Sequence, residues 1–190
     1  VAKLIVHGAT REEALARMDA ALAETRIVGL STNVQFLRHV VNSPSFAQAN
    51  LDTALIPREA AVLFHQDKVG LALAVASAVA QTLVAERALE STDPFSRRDG
   101  WRPHGLTVRR FDFEYMGEPL LAHLTYLHDG ALQLAFGEVS GVLHFETLST
   151  NGGARMDLQF QGQRQTVQTW QQGEIVHIFC ALVATQITEI

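Results

Sequence analysis

From residue 106 to residue 190, apolar and polar residues alternate in eight short runs: 106–115, 119–128, 131–137, 141–148, 154–161, 164–171, 174–180 and 184–190. Alternation places successive side chains on opposite faces of an extended chain, so each run predicts a strand with one buried face. Met-Gly-Glu, Asp-Gly, Asn-Gly-Gly and two Gln-Gly pairs punctuate them. Connections this short join antiparallel neighbours.

Ahead of the strands, residues 59–90 predict one long helix. Its centre, VGLALAVASAVAQTLVA at 69–85, has no polar face, so something must surround it. At 17 residues the run sits at the short limit for a membrane span, and it is built on Ala with Ser77, Gln81 and Thr82 inside. A buried helix suits it better, and no membrane partner is expected. An eight-stranded barrel normally has room only for side chains. Ala72, Ala74, Ala76, Ala78 and Ala80 make this helix thin enough to be enclosed. The fold expected for 58–190 is therefore a long central helix wrapped by an eight-stranded antiparallel β-barrel (helix 59–90, loop 91–105, barrel 106–190).

Residues 1–57 read differently. Val1 to Gly8 predict a strand, and without an initiator Met it is expected to be cut from a larger domain. Thr10 suits a helix N-cap with Glu13 as its capping-box partner, and Leu15, Met18 and Leu22 recur at helical spacing to about Glu24. RIVGLSTN, 26–33, predicts a short strand and turn. Ser31 or Thr32 then caps a helix over VQFLRHVVN that Pro44 ends. This is an α+β piece too small for a good core of its own.

Charge narrows the functions open to the chain. Residues 1–57 carry five basic and five acidic residues, and 58–190 carry ten basic and fifteen acidic, so the whole net charge of −5 lies in the second part. Nucleic acid, which needs a dense basic face, is not an expected partner. The single cysteine, Cys180, lies in an apolar strand; it excludes an internal disulfide and suits a reducing compartment. The eight histidines form neither a helical His-x-x-x-His pair nor a zinc spacing, so no metal site is expected. STNGGAR lacks a P-loop Lys-Ser/Thr, and a hairpin turn explains it.

The unusual stretch is STDPFSRRDGWRPHG, 91–105, which sets Phe95 and Trp101 among Arg97, Arg98 and Arg102. Trp and Arg are the residue types that dominate interface hot spots. The aromatics could equally fold back and plug the barrel end.

AKLIVHGATREEALARMDAALAETRIVGLSTNVQFLRHVVNSPSF closely resembles the C-terminal end of a biotin carboxylase domain, across about residues 2–57. The rest of the chain, 58–190, is similar to the α subunits of the biotin-dependent acyl-CoA carboxylases, in particular those of the 3-methylcrotonyl-CoA carboxylase type, with DGWR at 99–102 opening the barrel. Geranyl-CoA and propionyl-CoA carboxylase α subunits stay open as alternatives. In this family a mediator (BT) domain, a helix wrapped by an eight-stranded barrel, joins the α subunit to a carboxyltransferase β subunit through a hook-like loop. The resemblance puts that hook on 91–105, with Phe95, Arg97, Arg98, Trp101 and Arg102 as partner-binding residues. It implies biotin, ATP and Mg for the parent enzyme and none for this chain. The ATP-grasp core and the biotin carrier domain are expected outside it: Met18, Met116 and Met156 are the methionines, and none precedes a Lys as the biotinylation motif Ala-Met-Lys-Met requires. The resemblance implies a mechanical role between β subunit and carrier domain, with no catalytic residue. The bacterial cytoplasm is the favoured compartment, the mitochondrial matrix the alternative. A hot-dog acyl-CoA thioesterase or dehydratase is the competing enzyme reading, and a lipid-binding barrel a third. A hot-dog enzyme needs a carboxylate, His or Asn near the helix, where 69–85 offers only Ser77, Gln81 and Thr82.

Overall fold

The computed structural model describes residues 3–65, 69–151, 153–181 and 183–190. The chain forms two compact units, Val1–Asp67 and Lys68–Ile190, a division later than the expected 57/58 boundary.

Among its described residues the first unit is helical. Helix α1 spans Arg11–Glu24, α2 Val34–Asn42, α3 Pro44–Ala47, α4 Leu55–Arg58 and α5 Ala60–Leu63. The Thr10 cap at α1 forms, its hydroxyl accepting from the Glu13 amide at 3.2 Å, and the Glu13 carboxylate reaches back one residue further than a capping box requires, accepting from the Ala9 amide at 2.7 Å. Two expected strands do not form. Val1 and Ala2 lie outside the described residues, 3–8 are irregular, and so are 25–28. An extended segment becomes a strand only when a neighbour takes its backbone groups, and no described segment of this unit pairs with either. The N-cap of α2 is Asn33, not Ser31 or Thr32, and it makes no side-chain cap bond. Pro44 does not merely end α2; it opens α3 at the first helical position, with the Ser43 hydroxyl accepting from Phe46 N at 3.3 Å. Arg38, nearly buried, forks onto Asp19 at 2.8 and 3.1 Å and so ties α2 to α1. Leu22, Leu55 and Leu63 are its buried hydrophobes among the described residues, while Ile5, Leu30, Val62 and Phe64 stand exposed.

The second unit is a closed barrel in sequence order, every neighbouring pair antiparallel: β1 Thr107–Tyr115, β2 Glu118–Tyr126, β3 Leu132–Phe136, β4 Val139–Ser149, β5 Ala154–Phe160, β6 Gln163–Gln172, β7 Ile175–Cys180 and β8 Val183–Glu189. Each expected strand is present. Turns reverse at positive φ, as at Gly117 and Gly130. Helix α6, Leu71–Arg87, lies within it. The helix is shorter than the expected 59–90, because Gly70 is extended at φ −63° and ψ 152° and residues beyond Arg87 turn away; of the expected span, 66–68 lie outside the described residues.

Ala74, Val75, Ala76, Ala78, Val79 and Ala80 are fully buried, and Phe111, Phe113, Leu124, Leu134, Met156, Leu158 and Ile178 close on them from the strands. Alternation along β5 is complete, with Ala154, Met156, Leu158 and Phe160 inward and Arg155 and Gln159 exposed. Three polar ties fix the helix and the residues leading into it inside this apolar shell. Tyr115 donates its hydroxyl to the Val69 carbonyl at 2.5 Å, Thr169 donates to Gln81 Oε1 at 2.5 Å, and Thr82 reaches Glu189 at 3.4 Å. No helix among the described residues is long and apolar enough to cross a membrane.

Candidate functional site: a pinned loop at the mouth of the barrel

The C-terminal end of α6 emerges beside the first residues of β1, and the chain between them forms the loop singled out by composition. Its root is fastened at both sides. On the helix side, the Glu86 carboxylate accepts from both terminal guanidinium nitrogens of Arg109, Nη1 and Nη2, each at 2.6 Å, and Arg98 stands 4.0 Å from the same carboxylate. This hydrogen-bonded partner holds the Arg109 guanidinium above its ordinary pKa against the burial that opposes it. Arg109 also lies 4.7 Å over the ring of buried Phe111, a cation–π contact that orients the fork. The Arg98 amide donates to Glu90 at 2.8 Å.

On the barrel side, the Thr107 hydroxyl donates to the Gly100 carbonyl at 2.6 Å, and Gly100, at φ +71°, lies against the ring of Tyr126. A side chain at this position would strike the ring, and its backbone angle is one that L residues rarely adopt.

The tip is ordered by short local bonds. Asp93 caps a single 3₁₀ turn, Pro94–Ser96, accepting from Phe95 N at 2.9 Å. Ser96 donates to the Asp93 carbonyl at 2.7 Å and accepts from Ser91 N at 2.9 Å. Asp99 accepts from Trp101 N at 3.0 Å. What this scaffold presents is apolar: Phe95 is 97% exposed and Trp101 78%. Neither aromatic plugs the barrel end. Arg97, Arg98 and Arg102 are also exposed, so all five expected partner-binding residues face solvent on one loop. Sequence reading missed the residues that hold the loop: Glu86, Arg109, Gly100, Thr107 and Tyr126. No local sequence signal marked them; the Asp/Ser spacing around Pro94, a capping pattern, marks only the order of the tip.

The remaining candidates are structural. Burial pushes the Cys180 thiol pKa up, away from thiolate chemistry. Ser77 is fully buried in the helix centre, and its hydroxyl has no partner among the described residues. Gln81 and Thr82 are spent on the barrel ties described above. Gln81 and Thr82 thus hold the helix, and neither is the carboxylate, His or Asn that a hot-dog enzyme would need there. No described cluster of three His, Cys, Asp or Glu side chains could hold a metal ion. Lys3 and Lys68 are the lysines of the sequence and neither follows a Met, so the residues present do not fit covalent biotin.

This architecture meets an independent test. The family model described as "Methylcrotonyl-CoA carboxylase, alpha-subunit, BT domain" matches residues 70–190. The chain belongs to that family. A second model, "Biotin carboxylase C-terminal domain", matches residues 1–58, so the two compact units correspond to two family modules. Among curated relatives, the mitochondrial methylcrotonoyl-CoA carboxylase subunit alpha of Dictyostelium discoideum is 27% identical over 157 residues, 80% of this chain and 22% of that protein. The mouse protein of the same name is 26% identical over 143 residues, 70% of this chain and 20% of its own length. The biotin-dependent acyl-coenzyme A carboxylase alpha3 subunit of Mycobacterium leprae is 54% identical over 50 residues, 26% of this chain and 8% of that protein. The chain thus spans about a fifth of the methylcrotonoyl-CoA carboxylase relatives. Within the BT domain, the pinned loop is the segment between the central helix and the first strand.

Proposed function

We propose that this chain is a non-catalytic part of a biotin-dependent acyl-CoA carboxylase α subunit, and that its BT domain holds the carboxyltransferase β subunit through the loop 91–105. One observation carries the reading: Phe95 and Trp101 are held almost fully exposed on a loop whose root is tied to helix, strand and ring. A large exposed aromatic is unfavourable in water, and a loop ordered before binding loses little entropy on docking. Both features suit a hot spot built around Trp101, with Phe95, Arg97, Arg98 and Arg102 around it.

In this reading the parent enzyme carboxylates biotin with ATP, Mg and bicarbonate, then passes the carboxyl group to 3-methylcrotonyl-CoA. Geranyl-CoA or propionyl-CoA carboxylase remains the alternative, since the acyl group is chosen outside this chain. The BT domain contributes position: it joins α to β and holds the biotin carboxylase relative to the biotin carrier domain. Two relatives are named as mitochondrial; the mitochondrial matrix or a bacterial cytoplasm is the compartment that fits. The test is titration of the chain into its carboxyltransferase β subunit, with and without Trp101→Ala.

A further inference from the structure

The loop 91–105 and its root sort their charges. From Glu86 to Arg109 the chain carries four carboxylates, Glu86, Glu90, Asp93 and Asp99, and five arginines, Arg87, Arg97, Arg98, Arg102 and Arg109. Each of these carboxylates is engaged. Glu86 takes the Arg109 fork, Glu90 accepts from Arg98 N at 2.8 Å, Asp93 from Phe95 N at 2.9 Å and Asp99 from Trp101 N at 3.0 Å. The last two bonds fall on the amides of the two exposed aromatics. Three of the arginines are engaged as well: Arg109 on Glu86, Arg98 at 4.0 Å from the same carboxylate, and Arg87 at 5.1 Å over the ring of Phe145. Arg97 and Arg102 are exposed and have no carboxylate partner among the described residues. From Phe95 to Gly105 the formal charge is +2, Arg97, Arg98 and Arg102 against Asp99, in a chain whose net charge is −5.

We propose that the surface of the carboxyltransferase β subunit that receives this loop is an apolar cleft with carboxylates on its rim, which pair with Arg97 and Arg102. The proposal rests on the reading above and names the chemistry of its partner. Asp93 and Asp99 cannot turn onto these arginines without releasing the amide that holds an aromatic in place, so the two guanidinium charges are left for a partner. Arg102 follows Trp101 directly, and a cleft that closes on the indole brings its rim to that guanidinium. An apolar or basic rim would strip water from the charge and give it no partner, which is costly. A carboxylate matches the planar fork and can take two hydrogen bonds from it. The two kinds of contact then differ in what they control. Charges at a solvated rim steer the encounter and set the association rate. The enclosed indole sets how long the complex lasts.

The test is the association and dissociation rate of the α subunit with the β subunit between about 0.1 and about 1 M salt, where the screening length falls from about 10 to about 3 Å. Association of the parent should slow at least about tenfold across that range. The double variant Arg97→Gln/Arg102→Gln should associate about tenfold more slowly than the parent at the low end and change little with salt, with its dissociation rate within about threefold of the parent's. Trp101→Ala should do the reverse, raising the dissociation rate and keeping the parent's salt dependence. Neither arginine has a carboxylate partner in the free protein, so the double variant should keep the parent's Tm within about 2 °C. A double variant that associates at the parent's rate, with the parent's salt dependence, would overturn the acidic rim and leave the Trp101 contact standing if Trp101→Ala still shortens the life of the complex. Faster association of the double variant would reveal a basic rim and overturn it as well. A Trp101→Ala complex that forms and lasts as the parent's does removes the reading above, and the proposal with it.

Discussion

Gly100 lies against Tyr126 so closely that a Cβ at residue 100 would sit 2.4 Å from the ring Cγ. Tyr126 closes β2, opposite Thr107 at the start of β1. The contact therefore fixes where the 91–105 loop meets the barrel. Gly100→Ala must move the ring or the backbone and also hold Ala at φ +71°. It should cost about 1–3 kcal/mol of stability, most of it strain, and lower Tm by at least about 4 °C. Thermal unfolding of the variant checks this; an unchanged Tm would mean the root is loose.

The enclosed helix makes its own prediction. Ala76 is fully buried where α6 faces the strands. Ala76→Phe adds a ring to a filled interior, an overpacking that costs about 1–3 kcal/mol or more. Its Tm should fall below the parent's by at least about 4 °C. A variant that melts with the parent would show that the barrel does not close on the helix.

Stability should also respond to pH through His177. This side chain is nearly buried on β7, its Nε2 has no partner among the described residues, and burial pushes its pKa below the ordinary 6.5. The unfolded chain then binds the proton more tightly than the folded one, so the folded state loses ground as the proton is taken up. The His177 contribution is complete above pH 6.5 and is lost as pH falls through the folded-state value. Denaturant unfolding between pH 7.5 and 5 should show the decline, and His177→Gln should flatten it. Equal slopes in both proteins would mean His177 is not the group responsible.

Much of the barrel was legible because alternation survives in strands such as β1: Phe111, Phe113 and Tyr115 inward, Arg110, Asp112 and Glu114 away from the core. The Ala-rich helix was legible for the complementary reason, that only small side chains let eight strands close around it. Its length was not, since apolar content continues through Val69 while the backbone at Gly70 is extended. The expected strands in 1–8 and 26–33 failed because an apolar run carries no information about whether a neighbour exists to pair with it. The loop 91–105 was visible in composition, through Trp101 and the arginines. Its fastening was not: Glu86 meets Arg109 and Gly100 meets Tyr126 only after the barrel closes, and no local pattern encodes pairs that far apart.

Calorimetric titration of the chain into its carboxyltransferase β subunit tests the central claim most directly. Saturable binding is expected, with Trp101→Ala raising Kd at least about thirtyfold, as loss of a hot-spot residue worth about 2 kcal/mol would. The variant's Tm should stay within about 2 °C of the parent's, because Trp101 is 78% exposed and buries little in the free protein. Equal affinity for Trp101→Ala and the parent would contradict the account and place the contact elsewhere on the chain.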